Sequence, residues 1–459
     1  MSGEDKQAIW EQGDVNLTPA RQQYWEGNLS DQAREWFARD KQYFLHQALS
    51  TPVMNVLSRA SGAWIQDLDG KWYLDMHGNG VHNAGFNHPL VLDAVRRQLD
   101  EGLTFCPRRY TNIPAVRLAE KLATVAPGDL RRVLFCPGGS EAVEMALMLA
   151  RMVTGRFKTI SFWDAYHGTG FGAAAVSGEE HFHGRVGPLV PGAFHVQFPD
   201  YYRNPWGFTR KEDVDAECLR QIEQVLQREP EMAAIIAEPV SAKPVVPTRE
   251  FWTAVRTLCD AYGALLIFDE IIEGLGRTGK MFACEHFVQP DVLVLGKSLG
   301  GGLLPFAGIV TTEAYNVLQD RSIGHYTHEK NALCASAGLA GLEVIETQGL
   351  PGRAAEQGAY FFQALEDLRD KHPLIGNVTG LGLHLGIELV RDRTTREKAV
   401  QEAEAVMFKA LEQGLSFKVI DGNVLTLRPA LTISREEIDL AVDILDRALE
   451  AVKSVVGKQ

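Results

Sequence analysis

The sequence predicts an α/β fold, in which a large domain with a mostly parallel central sheet is joined to a smaller α+β C-terminal domain. Three observations carry this reading. Between residues 76 and 330, short apolar runs alternate with helix-length segments, the rhythm of βαβ units. The runs are apolar almost throughout, as expected of strands covered on both faces. Beyond residue 335 the rhythm gives way to long amphipathic stretches and isolated strand-like pieces. The expected organisation is an N-terminal segment, 1–75, packing on the small domain and a dimer interface; a large ligand-binding domain, 76–335; and a small domain, 336–459.

Taken in order, residues 31–47 read as a surface helix, and the aromatics of the first fifty residues (Trp10, Trp25, Trp36, Phe37, Tyr43, Phe44) as packing groups. Residues 64–66 and 72–74 flank a turn containing Asp69-Gly70, a hairpin signal. The central strands are expected at 132–136, 159–162, 233–237, 264–268 and 292–295. In the last third, 352–372, 396–413 and 434–452 read as helices, and 382–389 and 424–427 as strands. Glu402 and Glu404 are expected on a solvated helix face.

Composition narrows the function. The 459 residues carry 46 Lys plus Arg against 59 Asp plus Glu, a net charge of −13. That balance excludes a general nucleic-acid or anionic-membrane binder, whose affinity rests on positive charge. The six cysteines form no C-x-x-C pair, which argues against a disulfide scaffold or zinc ribbon. His181-Phe182-His183 lacks further ligands at fitting spacing, so no metal is expected and a surface loop is. No apolar leader or membrane-length run is visible, and a cytoplasmic enzyme is the expectation.

Three central strands end in a polar residue: Glu238-Pro239, Asp269-Glu270 and Lys297. Ligands of open α/β sheets bind beyond the carboxyl ends of the strands, so an acid and a lysine delivered there form a candidate site. Any one of them could instead be an ordinary solvated strand end. A fourth strand runs into Pro137-Gly138-Gly139-Ser140-Glu141 and a helix with small or apolar residues at Ala142, Ala146, Leu149 and Ala150. Such a start exposes N–H groups suited to a phosphate, with Ser140 expected as both N-cap and donor. An ordinary helix-start turn reads the same way. A lysine, a buried aspartate and a phosphate cradle together suggest pyridoxal phosphate, with Tyr166 placed to cover the ring.

The motifs Tyr166-His167-Gly168, Ala237-Glu238-Pro239, Phe268-Asp269-Glu270, Gly276-Arg277-Thr278-Gly279, Gly296-Lys297-Ser298-Leu299-Gly300-Gly301-Gly302 and Leu381-Gly382-Leu383 occur in an order that resembles the class III aminotransferase family of fold-type I pyridoxal phosphate enzymes. The resemblance spans residues 50–450. It implies that Lys297 carries pyridoxal 5'-phosphate and moves the proton, and that Asp269 pairs with the pyridine nitrogen. It implies Ile271 under the ring and Tyr166 over it, with Gly139 and Ser140, beside Gly138, on the phosphate and Glu238 lining the pocket. Thr327 would reach the neighbouring subunit's cofactor, which implies a homodimer with shared sites acting on a small-molecule amine.

Departures from the family pattern bear on the reaction. Gly138 lacks the hydroxyl that many members carry, so backbone donors must do more, and Ile272 replaces a residue near the ring hydroxyl. Thr426 stands where many members have a carboxylate-binding arginine, with Arg428 two positions on. Arg108 and Arg109 adjoin Phe105 and Thr111, and guanidinium forks suit phosphonate oxygens. A basic pair stabilising the dimer is the other reading. His82 and Asn83 are candidate pocket residues, and equally candidates for supporting roles. These features resemble the family's ammonia-lyase branch that acts on (R)-1-hydroxy-2-aminoethylphosphonate. That resemblance implies ammonia and phosphonoacetaldehyde as products without an amino acceptor. An ω-aminotransferase using pyruvate or 2-oxoglutarate is the alternative. A cofactor-binding module without activity fits poorly with an intact Lys297 and Asp269.

Overall fold

The computed structural model describes residues 19–45, 54–317 and 320–456. The chain divides into two units, one formed by residues up to 78 together with those from 355 onward, the other by residues 79–354. Helix Ala332–Thr347 thus belongs to the larger unit.

The chain enters the smaller unit through helices Pro19–Asn28 and Asp31–Tyr43. Ser30 caps the second, its hydroxyl accepting from Ala33 N at 3.2 Å. Phe37 is buried, whereas Trp36, Tyr43 and Phe44 are exposed; Trp10 lies outside the described residues. Three antiparallel strands follow: β1 (Leu57–Ser61), β2 (Trp64–Asp67) and β3 (Trp72–Asp75). The expected hairpin is β2–β3. Gly70 supplies the positive φ of 88° that its turn requires. Asp67 closes the turn by accepting from Asp69 N and Lys71 N at 3.0 and 2.9 Å.

The larger unit is built on seven strands: β4 (Arg132–Cys136), β5 (Lys158–Phe162), β6 (Ala193–Val196), β7 (Met232–Ala237), β8 (Leu265–Asp269), β9 (Val292–Leu295) and β10 (Ala307–Thr311). Their order is β4-β10-β9-β8-β7-β5-β6. The five expected strands are present. The apolar runs do not single out β6, whose first three residues are half-buried, or β10, which follows a glycine-rich loop. β10 is antiparallel to both its neighbours, β4 and β9, which makes the sheet mixed. Because the direction reverses twice, β4 still runs in the direction of β9, β8, β7 and β5. β6 is parallel to β5, so six carboxyl ends lie along one edge.

Helix Gly139–Thr154 covers this sheet. It buries Ala142, Val143, Met145, Ala146, Leu147, Leu149 and Ala150, in one core with Ala234, Ile236, Ile267, Val294 and Ile309. Alanines at three of these positions let helix and sheet approach closely. Each fully buried Ile or Val contributes about 1.5–3 kcal/mol.

The chain then completes the smaller unit with β11 (Ile375–Leu381), β12 (His384–Leu389), β13 (Leu415–Ser416), β14 (Lys418–Ile420) and β15 (Val424–Leu427). Four form an antiparallel sheet, β11-β12-β15-β14, and β13 pairs in parallel with β3. Glu402 corrects an expectation: it is buried, with Arg391 Nε at 2.8 Å. Helices Pro19–Asn28 and Arg435–Val456 both pack on its helix, Val400–Glu412, so less of that helix faces solvent than its sequence suggests. Among the described residues no helix is long and apolar enough to cross a membrane.

Candidate active site

Neighbouring parallel strands bring three sequence-predicted residues to one edge. Glu238 follows β7, Asp269 ends β8, and Lys297 comes two residues after β9. Asp269 is in register with Val294, three residues before Lys297. The acid and the amine thus stand at adjacent strand ends. Lys297 has a φ of 45° and opens the turn Lys297–Gly300. Left-handed backbone costs a non-glycine residue about 1–2 kcal/mol, and such strain persists where the surroundings fix it. The aliphatic stem of Lys297 lies by Gly80, where an added Cβ would stand 3.6 Å from its Cδ.

Asp269 is 3% exposed. Its Oδ1 accepts from Ile271 N at 3.2 Å, and its Oδ2 lies 2.8 Å from Nδ1 of the buried His167. A buried carboxylate needs such partners, because leaving it without them costs far more than a neutral group would. His167 is itself held by its N–H, which donates to Ser177 Oγ at 2.9 Å. In the sequence His167 stands out only as part of the Tyr166 motif, and nothing local assigns it this task. Glu270 likewise has no role legible in the sequence. Its oxygens accept from Ala283 N and Cys284 N at 2.6 and 2.7 Å. Burial pushes the Glu270 carboxyl up to about 7, against the pull of those two N–H groups. Glu238 accepts from Ala242 N at 3.0 Å and closes the turn after β7.

The helix start corrects one expectation. Gly138, with φ −150° and ψ 166°, is the N-cap, and the helix begins at Gly139. Ser140 therefore lies inside the first turn, where its N–H belongs to the unpaired set at a helix N-terminus. Its hydroxyl accepts from Thr169 N at 3.2 Å. The surroundings leave no room for larger residues. A Cβ on Gly139 would stand 2.8 Å from Ile271 Cδ1, and one on Gly168 would stand 2.5 Å from Ser140 Oγ. Gly296 approaches Ile271 from the lysine side, where an added Cβ would stand 3.3 Å from Cγ1. Ile271 thus links the glycine cradle to the lysine turn. The Tyr166 ring packs on Phe182 at 4.3 Å between centroids. Burial raises its phenol, helped by the charges of Glu179 and Asp269.

The remaining candidates occupy different surroundings. His82 is fully buried and stacked on Phe86 at 4.4 Å. Asn83 donates to the carbonyls of Gly274 and Leu275 at 3.3 and 2.9 Å and accepts from the buried Arg277 at 2.7 Å. Arg108, Arg109 and Thr327 are exposed. Arg108 pairs with Glu329 at 3.4 Å, whereas Arg109 forms no ion pair among the described residues.

An amine, a buried carboxylate backed by an imidazole, and a glycine-lined helix N-terminus at one sheet edge match the three ends of pyridoxal phosphate: aldehyde, pyridine nitrogen and phosphate. The residues fit that cofactor, and fold and site together define a fold-type I pyridoxal phosphate enzyme. The chain belongs to the class III aminotransferase family, whose pattern matches residues 46–449. It is 41% identical, over 457 residues, to an (R)-1-hydroxy-2-aminoethylphosphonate ammonia-lyase of Vibrio splendidus (strain 12B01), covering 96% of this chain and 95% of that one. It is 32% identical to an isoleucine 2-epimerase of Lentilactobacillus buchneri, covering 92% and 96%. Among solved structures it resembles an amine transaminase from an uncultivated Pseudomonas species in its PLP-bound form, with a TM-score of 0.81, 32% identity, and coverage of 86% and 94%.

Proposed function

We propose that this class III pyridoxal phosphate enzyme is an ammonia-lyase that converts (R)-1-hydroxy-2-aminoethylphosphonate to phosphonoacetaldehyde and ammonia, as a cytoplasmic homodimer. The observation that carries the reading is the 41% identity across nearly the whole chain to a relative of that name. The small unit supports it. Thr426, in the slot where many family members place an arginine, is buried and donates its hydroxyl to Lys418 O at 3.0 Å. It offers no positive charge to a keto acid's carboxylate, and a lyase needs no keto acid.

When bound, pyridoxal phosphate supplies an electron sink for charge developing at the substrate's amine-bearing carbon. Lys297 would hold the cofactor and, once released by the incoming amine, take the proton from that carbon through Nζ. The hydroxyl on the neighbouring carbon, which also bears the phosphonate, leaves as water. Addition of water to the resulting enamine releases ammonia and the aldehyde, so no net oxidant or amino acceptor is consumed. Asp269, oriented by His167, would keep the pyridine nitrogen protonated. Gly138, Gly139 and Ser140 would receive the phosphate, Ile271 and Tyr166 would enclose the ring, and Glu238 would shape the pocket wall. Thr327 would complete the phosphate site of the neighbouring subunit. His82 would support the pocket from its buried position, and one of the exposed arginines, Arg108 or Arg109, would contact the phosphonate.

Turnover without keto acid tests this. Repeated release of ammonia from (R)-1-hydroxy-2-aminoethylphosphonate, with the aldehyde form of the cofactor regained in its absorbance spectrum, is expected. The likeness to an amine transaminase favours a second reading, an ω-aminotransferase. A single equivalent of product, with turnover dependent on added pyruvate or 2-oxoglutarate, would establish that reading instead.

A further inference from the structure

The two segments that carry Arg108 and Thr327 are stitched to each other. Arg108 Nε lies 3.4 Å from Glu329 Oε1, and its Nη1 donates to Nε2 of His325. Phe105 stands edge-on to His328, with ring centroids 5.2 Å apart. Asn112 donates to Lys330 O at 2.9 Å while its Oδ1 caps helix Ile113–Val125 through Ala115 N. Residues 325, 328, 329 and 330 are thus all held by one segment.

Glu329 is the centre of this arrangement. Its Oε1 faces Arg108, and its Oε2 accepts from Tyr326 N at 3.2 Å. Its own N–H donates to Tyr326 O at 3.1 Å, so the turn 326–329 is closed twice. Thr327 and His328 are the exposed residues inside that turn. At the loop's other end, Gly324 rests on Met145 of helix Gly139–Thr154, where an added Cβ would lie 2.7 Å from the sulfur.

We infer that Arg108 is a positioning residue and not the phosphonate-binding arm: through Glu329 it fixes the turn that presents Thr327, and so governs how tightly the neighbouring subunit keeps its cofactor. A guanidinium already facing a carboxylate and an imidazole presents a substrate oxyanion with a partly neutralised charge and fewer free donors. Arg109 carries no such commitment among the described residues and is left to meet the phosphonate. The inference rests on the proposed role of Thr327 across the dimer.

The test separates cofactor retention from substrate binding. Pyridoxal phosphate is titrated into the apo-dimer and its Kd read from cofactor absorbance. KM for (R)-1-hydroxy-2-aminoethylphosphonate is then measured at saturating cofactor. Arg108→Ala and Glu329→Gln are each expected to raise the cofactor Kd by roughly threefold to tenfold, the scale of a partly exposed ion pair with accompanying hydrogen bonds. The double variant should lose little more than either single one, Arg108→Lys should recover part of the loss, and KM should stay within about twofold of the parent. A rise in KM for Arg108→Ala with an unchanged cofactor Kd would overturn the inference and make Arg108 the phosphonate arm. Thr327→Ala supplies the control. If it weakens cofactor binding while the Arg108 and Glu329 variants do not, the brace alone is wrong. If Thr327→Ala also leaves the Kd unchanged, the cross-dimer role of Thr327 fails, and the brace fails with it.

Discussion

Lys297 and Asp269 hang from backbone at the ends of interior strands, and Arg108 and Thr327 from backbone at the surface. β8 is paired along both sides, with β7 and with β9, so a side chain at its end has little freedom. Segments 105–112 and 324–330 are held by short turns and by the cross-links of Arg108, Phe105 and Asn112. The contrast separates two tasks. The proposed chemistry is anchored where the sheet fixes atoms, and the proposed substrate and subunit contacts sit where single side chains can change without disturbing the core.

The sharpest test of the rigid edge is its lysine. Lys297→Ala should lower ammonia release by about a thousandfold or more, the scale of a lost acid–base group. Retained activity in that variant would move the chemistry elsewhere. His167→Ala comes next. It strips one partner from a buried carboxylate, which costs about 1–3 kcal/mol, and should lower turnover roughly tenfold to a hundredfold while weakening cofactor binding. An unchanged rate and cofactor Kd would show that Asp269 does not depend on it.

Glu270 gives the edge a pH signature. Its folded carboxyl titrates at about 7, above its ordinary value of 4.5, with burial as the cause. Between those two values the folded state holds a proton that the unfolded state has lost. The contribution is therefore fully present below pH 4.5 and is lost as pH rises through about 7. Relative to Glu270→Gln, the parent should lose on the order of 2–3 kcal/mol of stability between pH 5 and 8, read from denaturant melts. Parallel melts at all pH values would show that the two N–H donors keep Glu270 ionised throughout.

The surface side of the comparison is sharpened by Arg109. Arg109→Ala should raise KM for the phosphonate about tenfold, as the loss of a charge-assisted contact does, with cofactor Kd unchanged. The smallest effect returns to the lysine turn: Lys297→Gly should be about 1 kcal/mol more stable than Lys297→Ala, because glycine carries the positive φ without strain. Equal melting points would mean the turn relaxes once the lysine is gone.

Much of this was legible without coordinates. Five apolar runs mark five of the seven strands because a strand covered on both faces is apolar along most of its length, and Glu238, Asp269 and Lys297 stand out as the polar residues at or just past the ends of three of them. The motif order placed the chain in its family. β6 and β10 escape this pattern because half-burial in one and a glycine-rich approach to the other blur it. The burial of Glu402 is not legible in the sequence, because amphipathic spacing reports one covered face, whereas neighbouring helices in space cover more of Val400–Glu412.

What the sequence determined by itself, then, is which groups are candidates for the site: side-chain chemistry and local pattern are carried by each residue and its near neighbours. What tertiary structure alone decided is which of them meet. His167 finds Asp269 across 102 residues, and Arg108 finds Glu329 across 221. Such pairings follow from strand order and loop path, which bring together atoms that no local spacing connects.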